Sequence, residues 1–72
     1  MKINLRCRLE ELIKISGYRK DFIAGELEIS TRQLRNYELQ KSYIPMDKAI
    51  ILKKILRLDK VEDLYEEVES TN

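Results

Sequence analysis

Histidine and tryptophan are absent from this 72-residue chain, cysteine and proline occur once each, and glycine occurs twice. Without histidine, and with Cys7 as the lone thiol, a single chain can assemble neither a His/Cys zinc site nor a disulfide. Gly17 and Gly25 stand too far apart to form a phosphate-cradling loop. With no histidine available as a general base, these absences argue against an enzyme. The carboxylates Asp21, Asp47 and Asp59 fall at expected helix starts, where capping and the helix dipole account for them. Apolar runs such as Ala49-Ile50-Ile51-Leu52 are far shorter than the ~20 residues of a membrane span. The opening Met1-Lys2-Ile3-Asn4-Leu5-Arg6 is charged where a signal peptide is apolar. One cysteine suits a reducing compartment, so the expected setting is the cytoplasm. No metal, cofactor or membrane association is implied.

The length fits one domain spanning residues 1–72, with a core over about 4–66 and an acidic, frayed tail over 67–72. So short a chain buries a modest core. Lacking metal and disulfide staples, it is expected to rely on close helical packing, a partner subunit, or both. The net charge of +1 conceals a strong asymmetry. Residues 1–54 hold 12 basic against 7 acidic side chains, whereas residues 55–72 hold 2 against 6. A basic body with an acidic end suits a protein that turns one side toward nucleic acid, although ordinary solubility charge accounts for it equally well.

Leu, Ile, Glu, Lys and Arg dominate and no long stretch alternates with period two, which favours helices throughout. A first helix is predicted from Asn4, as N-cap, to Gly17, with a stripe at Leu5, Leu9, Leu12 and Ile13. A second is predicted over about Lys20–Leu27, with Phe22, Ile23 and Leu27 inward and Arg19 at a poorly specified cap. The third, about Thr31–Leu39, has the clearest start: Ser30 and Gln33 form an S-x-x-Q box, and Ile29 and Leu34 a hydrophobic staple. Pro45 marks entry to a fourth over about Met46–Leu56. Asp59 and Glu62 suggest a cap for a fifth, with Val61, Leu64, Tyr65 and Val68 as its apolar face. The expectation is therefore an all-α, compact five-helix bundle.

The second and third helices carry the functional signal. Ala24 is a small residue beside Ile23 and Leu27, so the second helix can approach Leu34 and Tyr37 of the third closely. At about 100° per residue, the opposite arc of the third helix collects Thr31, Arg32, Arg35, Asn36 and Leu39. Arginine pairs bidentately with guanine, asparagine with adenine, and the threonine methyl touches that of thymine. A solvated polar face has a similar composition, but it ordinarily mixes both signs of charge. No acidic residue occurs from Ser30 to Tyr37.

These features resemble the phage repressor/Cro-type helix-turn-helix family, also called the xenobiotic-response-element family. The likeness rests on the joint spacing of Gly17-Tyr18, Ala24, Ile29-Ser30, Leu34, Tyr37-Glu38, Pro45, Ala49 and Asp63-Leu64-Tyr65. It implies a lambda-repressor-like fold with the helix-turn-helix at helices two and three. It also implies that Thr31, Arg32 and Asn36 read base edges, with Ser30 and Arg35 reaching bases or backbone from the flank. Lys20, Arg19 and Lys41 would meet phosphates, Lys20 from a helix N-terminus. Three positions depart from the family pattern. Glu28 stands at the turn usually held by glycine, which obliges a non-glycine residue to turn left-handed. Ile13 replaces an arginine that commonly pairs with the glutamate after helix three, so Glu38 is expected to be more exposed or paired elsewhere. Leu39-Gln40 replaces Asn-Gly, which allows helix three to run a turn longer.

Helix four is apolar around much of its circumference. Ile51 and Ile55 belong either to a central helix wrapped by the others or, with Tyr65 and Val68, to a homodimer interface. The resemblance favours the dimer, with recognition helices about 34 Å apart on a palindromic operator. The function implied is sequence-specific binding of double-stranded DNA and repression by promoter occupancy. The alternative is a protein-interaction module such as an antirepressor or adaptor on the same scaffold, for which Leu39 is the one favourable residue on the arc.

Overall fold

The computed structural model describes residues 3–69. Met1 and Lys2 of the charged N-terminus, and residues 70–72 of the expected tail, lie outside the described residues. The chain runs through strand β1 (Asn4–Cys7), helices α1 (Leu9–Ser16), α2 (Lys20–Leu27), α3 (Thr31–Glu38) and α4 (Met46–Ile55), a short 3-10 helix (Val61–Leu64) and strand β2 (Tyr65–Val68). The architecture is a small mixed α/β domain of four α-helices and a two-stranded antiparallel sheet, which corrects the expected all-α five-helix bundle.

Both ends of the chain depart from the helical expectation for one reason. Asn4 pairs with Val68, Leu5 with Glu67, Arg6 with Glu66 and Cys7 with Tyr65. Asn4 is thus a strand residue, not an N-cap, and α1 begins at Leu9 behind Arg8, which supplies no side-chain cap. Leu5 met a helical stripe only through its spacing to Leu9. In fact Asn4-Leu5-Arg6-Cys7 alternates polar and apolar, and its partner lies some sixty positions away, where local periodicity carries no information. Likewise Val61-Glu62-Asp63-Leu64 winds only one 3-10 turn, and Tyr65-Glu66-Glu67-Val68 extends. The turn starts at Lys60, whose N–H donates to the Asp63 carboxylate at 3.4 Å, so Asp59 is not the cap. Glu67 and Val68, expected in a frayed tail, belong to the sheet.

Cross-strand bonds hold the two ends. Arg6 pairs with Glu66 directly opposite and with Glu11 on α1 at 2.8 Å. The Arg8 N–H donates to the Leu64 carbonyl at 2.8 Å, tying the start of α1 to the 3-10 turn. The outer side of β1 is covered where the Gln40 amide donates to the Leu5 carbonyl at 3.1 Å. A lone two-stranded ribbon is marginal in water. Here Cys7 is buried with Leu64, and Tyr65 packs against the same core.

That core is built from Leu9 and Ile13 of α1, Ile23, Ala24 and Leu27 of α2, Leu34 and Tyr37 of α3, and Ala49 and Leu52 of α4. The inward positions of α2 are Ile23, Ala24 and Leu27; Phe22, expected inward, is 47% exposed and stacks on Tyr18 with ring centroids 5.2 Å apart. One helical position from Ile23 rotates Phe22 to the shoulder, where the Tyr18 ring offers it apolar cover. Ile51 and Ile55 pack half-buried against the core, while Met46 and Ile50 are the open apolar positions of α4. The Tyr65 hydroxyl accepts the Ile44 N–H at 3.4 Å, and Val68 is exposed on β2. Among the described residues no helix is long and apolar enough to cross a membrane.

A left-handed residue follows each α-helix within two positions, yet only Gly17 (φ 80°) is a glycine; Glu28, Gln40 and Arg57 hold φ of 56°, 60° and 57°. At Glu28 the turn closes with Glu28 N–H to Gly25 O at 3.1 Å and Ile29 N–H to Ala24 O at 3.0 Å. Gln40 and Lys41 repeat the pattern on Tyr37 and Asn36 at 3.1 and 2.9 Å, so α3 stops at Glu38 without an additional turn. A side chain in this region costs about 1 kcal/mol. Glu28→Gly and Arg57→Gly are therefore each expected to raise the melting temperature by a few degrees, at about 4–8 °C per kcal/mol. Thermal denaturation followed by circular dichroism measures it; a fall in both variants would refute the strain.

Candidate nucleic-acid interface

α2 and α3 are each eight residues long and joined by Glu28-Ile29-Ser30. The left-handed Glu28 reverses the chain, Ile29 packs on the core, and Ser30 extends with ψ 159°. Its Oγ then accepts the Gln33 N–H at 3.0 Å, satisfying an orphan amide of the first turn of α3. Only this half of the expected capping box forms. The Gln33 side chain instead donates to Ser42 Oγ at 3.4 Å and accepts from the Asn36 amide at 3.5 Å. α3 packs against both α2 and α1, with Leu34 and Tyr37 buried beneath it.

The sequence-derived site residues separate into two groups. Thr31 and Arg32 are exposed on the first turn of α3, and Arg32 makes no ion pair among the described residues. Ser30 is exposed beside them; its hydroxyl accepts the capping bond and keeps its own proton for another acceptor. Asn36 is half-buried, with its amide turned along the helix to Gln33. Lys41 is exposed beyond α3 and free of carboxylates among the described residues. Arg19 is 86% exposed and lies 3.5 Å from Asp21, which is also exposed.

The second group is engaged inside the molecule. Lys20 Nζ donates to Glu38 Oε1 at 3.2 Å, and Arg35 Nη1 donates to the same oxygen at 3.3 Å and to Glu10 Oε2 at 2.9 Å. The Glu38 side chain is 0% exposed whereas both cations are 48% exposed, so the carboxylate is the buried partner and the cations reach it from the surface. Its second oxygen, Oε2, has no hydrogen-bond partner. Glu38 is thus paired elsewhere, as one of the two expectations held, but is buried rather than exposed. With Ile13 in place of an arginine on α1, Lys20 and Arg35 supply the compensating charge.

Sequence reasoning missed Glu10. It lies on the first turn of α1, which packs against α3, and it pulls Arg35 toward the α1–α3 seam. Hydrogen bonding to Glu10 first, then to Glu38, raises the Arg35 guanidinium above its ordinary pKa. The same bond holds the Glu10 carboxyl below its ordinary value, and Arg6 does likewise for Glu66. Two carboxylates whose folded pKa values are depressed stabilise the fold above the ordinary carboxylate range. That contribution is lost as pH falls through the lowered values. Melting temperature is expected to decline on acidification below about pH 4, and less steeply in an Arg6→Met/Arg35→Met variant. Parallel acid titrations of both proteins would disprove this if they superimpose.

Comparison of the chain with family models, curated proteins and solved structures finds no match.

Proposed function

We propose that this chain binds double-stranded DNA sequence-specifically, with α3 entering the major groove by its N-terminal turn, and that it regulates transcription by occupying a promoter. One observation carries the reading. The turn between two short helices leaves Thr31 and Arg32, which has no ion pair among the described residues, exposed at a capped helix start, on a helix face free of acid from Ser30 to Tyr37. There the Arg32 guanidinium can bridge guanine O6 and N7 while the Thr31 methyl meets thymine. Asn36 follows a turn later, and Arg35 flanks it. Lys41, Arg19 and Lys20 serve phosphates, Lys20 while sharing its charge with Glu38. The resemblance to the repressor/Cro-type family in this helix pair supports the same assignment. A cytoplasmic setting fits the free Cys7, buried and with its thiol pKa raised by that burial.

Reading a palindrome requires two copies, and we propose a homodimer on DNA. Ile51 and Ile55 are half-buried by the chain's own core, so the more open α4 positions Met46 and Ile50 extend the apolar surface available for it. Sedimentation of the protein on a duplex carrying its selected site should show two chains per duplex; one chain per duplex would overturn the dimer.

Selection of bound duplexes from a random pool tests the main reading. Enrichment of a short motif is expected, and its symmetry reports the stoichiometry. Lys41→Ala should weaken all sequences alike and reduce the salt slope by about 1, as loss of one phosphate contact does. The interaction-module alternative is favoured by a different observation, the exposed Ile15, Leu39 and Tyr18–Phe22 stack. No enrichment even at low salt would decide for that alternative.

A further inference from the structure

We propose that Glu10 is an intramolecular competitor for nucleic acid, holding Arg35 in the free protein at the place a phosphate oxygen takes on binding. This rests on the DNA-binding reading of α3. Arg35 Nη1 is shared between two carboxylates of unlike character. Glu38 is wholly enclosed and cannot leave, so it anchors the guanidinium to the body of the domain. Glu10 is 58% exposed on the first turn of α1 and reaches Arg35 from solvent at 2.9 Å, as a diffusing anion would. Arg35 Nε and Nη2 have no partner among the described residues.

A guanidinium carries five N–H donors in a planar fork and takes a second oxyanion without losing the first. Exchange of Glu10 for phosphate therefore leaves the Glu38 bond intact. The same carboxylate also repels any backbone that approaches the α1 side of α3, because unit charges interact strongly at a few ångströms from a protein surface. Glu10 thus subtracts from non-specific affinity while leaving the Arg32 end of the helix untouched. That raises the ratio of specific to non-specific binding, the quantity that decides site occupancy among many competing sites.

The test uses fluorescence anisotropy with a labelled random-sequence duplex, whose binding reports phosphate contacts rather than base reading. Glu10→Gln keeps an acceptor of the same shape and removes the charge. It is expected to bind this duplex about 3–10-fold more tightly at low salt, with a salt slope steeper by about 1. Glu11→Gln, one residue along α1 and paired with Arg6, is the control for net charge and should leave both unchanged. Arg35→Ala in the Glu10→Gln background should abolish the gain. Equal affinity and slope for wild type and Glu10→Gln, or an equal gain from Glu11→Gln, overturns the competition while DNA binding stands. Absence of binding by every variant at low salt overturns the DNA reading and the competition together.

Discussion

Arg32→Ala is expected to lower affinity for the selected duplex by about 5–150-fold, the equivalent of about 1–3 kcal/mol, and to relax base preference at one position of each half-site. Arg32 is the one arginine of α3 with no carboxylate partner among the described residues, and it stands on the turn that leads the helix. A bidentate guanine contact there is lost whole on truncation. Arg32→Lys should recover little of it, because an ammonium lacks the planar fork. The effect on a random duplex should be far smaller, since phosphate contacts remain. Competition with single-base variants of the selected site measures both. Unchanged affinity for the best site would falsify the assignment of the reading face.

Joint replacement of Lys20 and Arg35 by methionine is expected to cost about 3–5 kcal/mol of stability, because it strands a buried charge. Single replacements should cost much less, since each leaves Glu38 one cation. The sum of the two should fall well short of the double variant, the mark of partners in one network. Glu38→Met should be milder than the double variant, for its partners are half-exposed and can turn to water. A domain of this size has a small margin, on the order of 3–5 kcal/mol, so the double variant should be largely unfolded at room temperature. Adding Glu38→Met to it should restore the fold, as apolar replacement of a whole buried ion group often does. Urea denaturation of these five variants beside the wild type decides it; a double variant as stable as either single would remove Glu38 from the framework.

These two experiments address residues that stand on the same helix face in sequence and have different fates in the fold. Both Arg32 and Arg35 are basic and outward on α3, and locally only the Glu38 three residues beyond Arg35 sets them apart. They differ because α1 brings Glu10 to one and not to the other, and because Arg35 alone stands one turn before Glu38, where Lys20 of α2 meets the same carboxylate. The acid at position 10 carried no functional signal in sequence, where it reads as an ordinary first-turn glutamate complementing a helix dipole.

The sequence by itself determined the middle of the molecule. Ser30 as the cap of α3, Pro45 at the head of α4, and the inward set Ile23, Leu27, Leu34 and Tyr37 follow from short-range chemistry, while the left-handed turn at Glu28 is implied only by the family resemblance. Capping, turn geometry and helical spacing act over a few residues, so they are written where they operate. The ends and the charge network were decided only by tertiary structure. Asn4–Cys7 and Tyr65–Val68 become strands because each satisfies its backbone on the other, and Glu38 is held in the interior with Lys20 of α2 joining its own helix neighbour Arg35, itself bridged to Glu10 of α1. Such pairings depend on which segments the helices bring side by side, and that proximity exists only after the core has formed.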